Sequence, residues 1–327
     1  MRKSAVITLL FLLVASTFVV GCGRPLGESV QWNVQKEGIK NELYGVSGYS
    51  RNDLWAVGME GTIFHYDGDS WRASQQAFST DLYRVFALDK THVWAVGNDI
   101  KVDGQTTHTS IIYFNDGSNQ WKEVKRTPGQ RISALWAADP NHVWVVSQQT
   151  PNVMFFDGKS WYNEDVPFSG YLIDITGTDR SHVWACGQDG EVLFYDGEEW
   201  TTQTVGGSGV LCGIAAADPS HVWTVGWEEA SGQQGVIYYF NGSKWGKQEA
   251  GTVNQLFAVC TVDSKNVWAT GQNGIVLYWD GKKWEEQNTD YGVWLHDIAA
   301  ADASNVWAVG APTMKDSKIF YGKGAIK

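Results

Sequence analysis

Basic residues and cysteines are scarce in this sequence, and each shortage excludes a class of protein. Lys and Arg number 25 against 36 Asp and Glu, so the formal net charge is −11. An acidic chain without a basic stripe repels phosphate backbones, which argues against a nucleic-acid partner. Besides Cys22 there are three cysteines, Cys186, Cys212 and Cys260, and an odd number excludes a full disulfide framework. A Cys212–Cys260 bridge stays open, although their different positions within the predicted strands favour free buried thiols.

Motifs of the common catalytic and metal sites are also absent. The sequence has no Walker loop, no Gly-x-Ser-x-Gly and no EF-hand loop. No two of its seven histidines have metal-ligand spacing, so we expect neither a metal nor another cofactor. A sialidase-type propeller needs a cluster of inward arginines, whereas only Arg84 and Arg131 lie near a predicted inner strand. These shortages favour a protein that is not an enzyme.

A long membrane-spanning run is missing as well. Residues 5–21 are 17 apolar or small residues after Arg2 and Lys3, which is short for a span and typical of a signal peptide. The segment ends Val19-Val20-Gly21-Cys22, which resembles the lipobox of bacterial lipoproteins. The resemblance implies cleavage after residue 21 and acyl chains such as palmitate on Cys22. An uncleaved anchor and ordinary secretion are the alternatives.

The predicted lipid implies a cellular location for the protein. We expect residues 1–21 to be a signal peptide, residues 22–29 a lipid-anchored tether, and residues 30–327 the folded domain. The protein would be exported to the bacterial cell envelope and held in a membrane by its N-terminal lipid. That membrane is either the outer membrane or the outer face of the cytoplasmic membrane, and multiple acyl chains would make the anchoring stable.

Tryptophan is abundant, with 18 residues, and it marks a repeat. The pentapeptide VWAVG or a near copy occurs seven times, with spacings of 39 to 50 residues between its tryptophans. These residues are Trp55, Trp94, Trp144, Trp184, Trp223, Trp268 and Trp307. Strand-like repeats of this length are typical of a propeller or a solenoid.

Each repeat contains four short apolar runs separated by turn residues, which predicts four strands that we name a, b, c and d. The a–b turn is Asp-x-x-His or Asp-x-x-Asn in most copies, and the c–d hairpin is Asp-Gly or Asn-Gly. Four histidines share one position in the a–b turn, which indicates a structural role: His92, His142, His182 and His221. The repeated aspartates also occupy turns, so they are weak candidates for a carboxylate pair.

Side-chain alternation in strand b predicts how the repeats pack. The tryptophan and second valine of VWAVG point to one face, and the smaller residues point to the other. Such sheets bury both faces only if the bulky face of one sheet packs on the small face of the next. A closed ring of sheets lets every sheet do so. Strand d has six copies downstream, while residues 30–35 read VQWNVQ with Trp32 in the d position. We therefore predict an all-β, seven-bladed β-propeller whose last four-stranded antiparallel blade is closed by the N-terminal strand; an open solenoid is the alternative.

The face with the b–c and d–a loops is the predicted binding face, because its residues repeat least. The residues just before each strand a should surround the channel mouth: Glu42, Asp81, Arg131, Tyr171, Val210, Gln255 and Trp294. With Trp227 and Tyr291, the residues Arg131, Tyr171 and Trp294 form the candidate site. Exposed aromatics beside polar groups suit a protein or sugar partner. Packing of these loop residues on each other is the alternative.

The repeat D-x-x-x-V-W-A-V-G-x-x-G-x-I-x-x-Y-D-G-x-x-W resembles that of the photosystem II stability/assembly factor-like propellers, which are similar in rhythm to the Asp-box (BNR) propellers. The residues that carry the resemblance are Trp55-Ala56-Val57-Gly58, Gly61, Ile63, Asp67-Gly68 and Trp71. The resemblance implies seven blades and, often, a lipid anchor. No ligand-binding arginine of that family can be placed in this chain.

We expect a non-enzymatic, lipid-anchored propeller that binds an unknown protein or glycan through the b–c/d–a loop face, in a scaffold, assembly or adhesion role. The alternative is a propeller-type glycoside hydrolase or lyase with its site at the channel mouth, for which Arg84, Asp174 and Asp297 are the candidate residues. A purely structural module is a third hypothesis.

Overall fold

The computed structural model describes residues 30–74, 78–102, 106–118, 120–149, 152–228, 232–287, 289, 291–311 and 316–324. The predicted signal peptide, lipid site and tether lie outside these residues. Seven four-stranded antiparallel sheets make up the described chain, which confirms the predicted number of blades. Within the described ranges no helix is long and apolar enough to cross a membrane.

Strand a is innermost in each blade, and the seven a strands contact one another in a closed ring. The a strands are β2 (Leu43–Ser50), β6 (Asp81–Asp89), β10 (Ile132–Asp139), β14 (Leu172–Asp179), β18 (Val210–Asp218), β22 (Leu256–Asp263) and β26 (Trp294–Asp302). The b strands are β3 (Asp53–Gly58), β7 (His92–Val102), β11 (His142–Ser147), β15 (His182–Gly187), β19 (His221–Glu228), β23 (Asn266–Gly271) and β27 (Asn305–Ala311).

The two outer strands of each blade follow the same order. The c strands are β4 (Ile63–Tyr66), β8 (Thr106–Asn115), β12 (Asn152–Phe156), β16 (Glu191–Tyr195), β20 (Gln234–Phe240), β24 (Val276–Trp279) and β28 (Ser317–Lys323). The d strands are β5 (Trp71–Ala73), β9 (Trp121–Pro128), β13 (Trp161–Asp165), β17 (Trp200–Thr204), β21 (Trp245–Gln248), β25 (Trp284–Gln287) and, in blade seven, β1 (Gln31–Ile39).

Blade seven is closed by the N-terminal strand, as predicted. β1 pairs antiparallel with β28 from Gln31–Lys323 to Ile39–Ser317, so the strand is longer than the sequence pattern indicated. The blade thus joins both ends of the propeller in one sheet. β1 covers the edge of β28, which would otherwise be the unpaired outer strand of a three-stranded blade.

Head-to-tail packing of the blades is also confirmed. Trp144 and Val146 of blade three lie in one core cluster with Val183 and Ala185 of blade four. The same arrangement joins blade seven to blade one, where Trp307 and Val309 cluster with Leu54, Ala56 and Leu43. Because Trp307 is only 1% exposed, truncating it or an equivalent tryptophan would cost about 3–5 kcal/mol.

The glycine at the fifth position of the VWAVG motif, present in six of the seven copies, is required by a close approach of backbone. A Cβ on Gly187 would lie 1.8 Å from the carbonyl oxygen of Tyr171, and one on Gly310 would lie 1.9 Å from that of Trp294. Blade three has Ser147 at this position, and its hydroxyl donates to the carbonyl of Arg131 over 3.1 Å. The glycines therefore hold the start of each a strand directly against strand b.

The a–b turns confirm the structural role of the repeated histidines. His92 Nδ1 lies 3.0 Å from Asp89, and His142 Nδ1 lies 2.9 Å from Asp139. Blade one differs: Asp53 takes the histidine's place in the turn and pairs with Nε2 of His65 in strand c over 3.0 Å. The Asp–His pair is kept in blade one although both residues have moved.

A second link between blades was missed in the sequence. The indole NH of a d-strand tryptophan donates to a glutamine or glutamate three residues after the corresponding tryptophan of the preceding blade. The four pairs are Trp71–Gln35 at 2.8 Å, Trp200–Glu164 at 2.9 Å, Trp245–Gln203 at 2.8 Å and Trp284–Gln248 at 2.8 Å. Gln35 lies in β1, so the ring is closed by the same bond that joins interior blades. Its oxygen also accepts the Trp307 indole over 2.9 Å.

Replacing Gln248 by Ala is expected to lower the free energy of unfolding by about 1 kcal/mol, because one indole loses its acceptor. Gln35→Ala should cost about twice as much, since two indoles share that oxygen. Urea unfolding measures both, with the exposed Gln31→Ala as the control. Equal losses in the two variants would contradict a special role of Gln35 in closure.

Candidate functional site

The channel mouth is formed where the seven a strands begin. The predicted rim residues are the first residue of strand a or the residue just before it, so they lie at the same end of the inner ring. We call this end the mouth face, and the end with the a–b and c–d turns the turn face. Tyr171 is 49% exposed and Trp294 is 39% exposed, so two of the predicted aromatics are open to solvent at the rim.

Beneath the rim lies a second ring that the sequence analysis did not single out. We call it the collar: Tyr44, Tyr83, Ser133, Ile173, Cys212, Phe257 and His296. Each collar residue follows the buried leucine or isoleucine near the start of strand a. The signal was present in the sequence, because this column holds four ring-bearing side chains while its neighbours along the strand are mostly aliphatic or small.

The four rings of the collar form a continuous arc over blades six, seven, one and two. Phe257 and His296 stack with ring centroids 6.2 Å apart, and His296 meets Tyr44 edge-on at 5.4 Å. Tyr44 stacks on Tyr83 at 5.5 Å. The rim residue Trp294 extends the arc outward, with its ring 5.8 Å from that of Phe257. The arc crosses the seam between blades seven and one, so it exists only in the closed ring.

Polar groups hold the arc in place across that seam. His296 Nε2 lies 2.8 Å from Glu42 Oε1, and the Tyr44 hydroxyl donates to Glu42 Oε2 over 3.1 Å. The hydrogen bond with His296 lowers the pKa of Glu42 despite partial burial, and the bond from Tyr44 acts in the same direction. Burial and the Glu42 charge raise the pKa of Tyr44. Glu42 therefore stays ionised and fixes both rings.

Arg131 precedes the a strand of blade three and contacts Tyr83 at the end of the arc. Burial raises the pKa of Tyr83, and the Arg131 guanidinium beside it partly offsets that rise. Arg131 and Tyr83 line a cavity of about 90 Å³ together with Arg84 and Gln148. Two arginines and a glutamine thus line a small space at the mouth.

The two remaining candidates lie differently from Tyr171 and Trp294. Trp227 is half-buried at the end of β19, with its indole beside the Cys212 thiol of the collar. Tyr291 packs against Phe320 with ring centroids 4.7 Å apart, at the core cluster between blades six and seven. Trp227 thus adjoins the collar, whereas Tyr291 packs between blades.

The spacing of the repeats predicts long b–c loops at residues 98–109, 227–234 and 311–317, and the structure corrects the first of them. In blade two, Asn98–Val102 pairs with Thr106–Ser110, so this segment is an extension of the β7–β8 hairpin beyond the mouth face. Residues 229–231 of blade five and 312–315 of blade seven lie outside the described residues. The short connections of blades one, four and six are single 3₁₀ turns, at Met59–Gly61, Gln188–Gly190 and Gln272–Gly274.

Arg84, Asp174 and Asp297 converge inside the channel, below the collar. They line a cavity of about 310 Å³ that also contacts small residues of the inner strands. Arg84 Nη1 donates to the carbonyls of Tyr44 and Tyr83, each over 3.2 Å. The three residues are half-buried, because the inner strands surround the cavity that they line. These three residues are the ones that the sequence suggested for the alternative enzyme site.

Both carboxylates already accept backbone hydrogen bonds that join blades. Asp174 accepts the NH of Ile214 over 3.0 Å, and Asp297 accepts the NH of Val46 over 2.9 Å. Burial raises the pKa of Asp297 to about 6, although the Arg84 charge acts against it. Burial likewise raises the pKa of Asp174. This geometry assigns both residues a structural role between neighbouring a strands.

The three described cysteines are free, so the Cys212–Cys260 bridge is not formed. Burial raises the pKa of Cys212 to about 12 and also raises that of Cys186 and Cys260. A thiol with so high a pKa stays protonated at neutral pH and is a poor nucleophile. These residues are therefore packing groups.

Sequence comparisons match this chain to no protein-family model and to no curated protein. Solved structures are similar in fold. YCF48 bound to a D1 peptide has 13% identity and a TM-score of 0.67, with 90% of this chain and 94% of that chain covered. YCF48 from Cyanidioschyzon merolae has 15% identity and a TM-score of 0.66, with 89% and 98% covered. The WD40 repeats of RRP9 have 10% identity and a TM-score of 0.70, with 90% and 99% covered. At these identities the likeness confirms the propeller fold and extends no further.

Proposed function

We propose that this protein is a non-enzymatic scaffold of the bacterial cell envelope, anchored by a lipid on Cys22, that binds a polypeptide segment at the mouth face. The observation that carries the proposal is the aromatic arc of the collar beneath two exposed rim aromatics. The membrane is the outer membrane or the outer face of the cytoplasmic membrane. Membership of the photosystem II assembly factor-like lipoproteins, on the repeat pattern, is part of the proposal.

A polypeptide fits this surface better than a uniformly polar or uniformly apolar ligand. The rings of Tyr44, Tyr83 and Phe257 offer apolar faces, while Arg131 and Glu42 add opposite charges to the rim, in blades three and one. Interfaces with proteins are enriched in Tyr, Trp and Arg for this reason. The similar structure of YCF48 was solved with a D1 peptide, which supports a peptide as ligand for a propeller of this shape. A glycan remains the alternative partner.

Several contacts argue against catalysis at the channel. Asp174 and Asp297 each accept a backbone NH from the next blade, and an acid–base pair needs carboxyl groups that can exchange protons with a substrate. Arg84 is tied to two backbone carbonyls. We therefore propose that the protein binds its partner without transforming it.

The test is selection of random linear peptides on the purified protein, followed by affinity measurement on variants. Trp294→Ala together with Tyr171→Ala should weaken binding of the selected peptides at least about tenfold, as loss of exposed aromatic anchors does at interfaces. The matched control is Tyr162→Ala, a 51% exposed aromatic on an outer strand away from the mouth. It should leave both affinity and melting temperature unchanged.

Two outcomes would overturn the proposal. Selected peptides that bind the rim variant as tightly as the unaltered protein would place the site elsewhere. Failure to select any peptide, together with rim-dependent binding of envelope polysaccharide, would replace the polypeptide by a glycan.

A further inference from the structure

The direction of β1 determines the face at which the chain enters the propeller. Gln31 pairs with Lys323, which also pairs with Asn305 at the a–b turn. Ile39 pairs with Ser317, at the level where strand a begins. The strand therefore runs from the turn face to the mouth face. Any attachment that precedes residue 30 is joined to the turn face.

We propose that the tether orients the propeller, with its turn face toward the anchoring membrane and its mouth directed away from it. The inference rests on the proposed lipid at Cys22 and deepens the proposed function. It identifies the partner as a polypeptide segment presented on the side remote from the anchoring bilayer. A segment lying on the surface of that same bilayer is excluded.

Chain length supports this orientation. From Cys22 to Val30 there are eight residue steps, which span at most about 28 Å when fully extended. An inner strand such as β6 has nine residues and is about 27 Å long, which sets the distance between the two faces. The tether would have to run extended along the full height of a blade to bring the mouth to the membrane. The turn face needs no such extension.

Charge at the chain entry acts in the same direction. Arg51 and Lys323 line one open cavity on the turn face, of about 580 Å³, and Lys323 lies opposite Gln31 in the sheet. Neither side chain forms an ion pair with any residue that the structure describes. These two cations offer a local contact for anionic lipid headgroups at the chain entry, although the repeated aspartates of the a–b and c–d turns lie on the same face.

Energy transfer from a dye to acceptor lipids measures the orientation. The full lipoprotein is placed in vesicles of phosphatidylcholine and phosphatidylglycerol that contain a headgroup-labelled acceptor. One dye is attached at Lys244→Cys on the turn face of blade five, or at Val253→Cys in the mouth-face connection after the same blade. Both positions are exposed, Val253 to 70%. Cys212 and Cys260 are replaced by Ser in every variant, and Cys22→Ser is the control without lipid.

Transfer from position 244 should exceed that from position 253 by at least about twofold, because the two faces differ by a strand length in distance from the lipids. Inserting a long Gly/Ser segment after residue 29 should abolish the difference, since a flexible linker releases the orientation. Equal transfer from both positions with the natural tether would overturn the orientation and leave the anchor intact. Absence of vesicle binding would overturn the anchor and the orientation together, while peptide binding at the mouth could still hold.

Discussion

Deletion of residues 28–36 is expected to abolish cooperative folding, with a loss of more than about 5 kcal/mol in the free energy of unfolding. The deletion removes most of β1 and with it the buried side chain of Trp32, which alone is worth about 3–5 kcal/mol. It also removes Gln35, the acceptor for the indoles of Trp71 and Trp307. Blade seven is then left with three strands, and β28 becomes its unpaired outer edge.

Urea and thermal unfolding with limited proteolysis measure this loss. Trp32→Ala should show a graded loss of the same kind, while the exposed Asn33→Ala should stay within about 0.5 kcal/mol of the unaltered protein. Moving residues 30–39 to the C-terminus behind an Asp-Gly turn should restore stability, because β1 would then follow β28 as each other d strand follows its c strand. An unchanged melting temperature after the deletion would refute closure by β1.

Asp297→Asn is expected to change how stability depends on pH. In the folded protein, burial raises the pKa of Asp297 to about 6, against 3.8 for an ordinary aspartate. A carboxyl with a raised folded pKa adds stability below its unfolded pKa and loses that contribution as pH rises through the folded value. Asparagine cannot ionise. The stability of the variant relative to the unaltered protein should therefore rise between about pH 4 and pH 7, by roughly 2–3 kcal/mol.

Urea unfolding at several pH values tests this prediction. Subtracting the free energy of unfolding of the unaltered protein from that of the variant cancels the contributions of titratable groups that both proteins share. Asp174→Asn should change in the same direction, because burial raises its pKa too. Asp139→Asn should show the opposite sign. Burial opposes the fall in its pKa, but hydrogen bonds with His142, Asn141 and Arg180 prevail, so its contribution is lost as pH falls. A difference for Asp297→Asn that does not change with pH would show that folding does not raise the pKa of this carboxyl.

Repetition explains how much of the fold could be predicted from the sequence. Seven copies of the same strand b revealed its bulky and small faces, and Trp32 identified the missing d strand. The structure confirms both features, because Trp307 packs on blade one as Trp144 packs on blade four. The extended hairpin of blade two was wrongly predicted to be a loop, because its second strand reads TTHTS at residues 106–110 and lacks the apolar alternation of the repeat.

The candidate site was harder to predict from the sequence, and the reason lies in the local structure of the a strands. Every a strand carries a β-bulge just after its first buried residue, as between Leu82 and Arg84 and between Leu295 and Asp297. Simple alternation would place Arg84 and Asp297 on the buried face with those leucines. The bulge turns them into the channel. A period-two pattern therefore assigns these positions to the wrong environment.

Sequence alone thus determined the blade count, the turns and the packing order, because each depends on local spacing repeated many times. The lipid signal at Cys22 stays a prediction from one short motif. Only the tertiary structure decided that Phe257, His296, Tyr44 and Tyr83 form one arc, and that Glu42 fixes it across the seam. These residues come from blades at opposite ends of the chain. Ring closure brings them together, and a single repeat contains no information on which side chains its distant neighbours present.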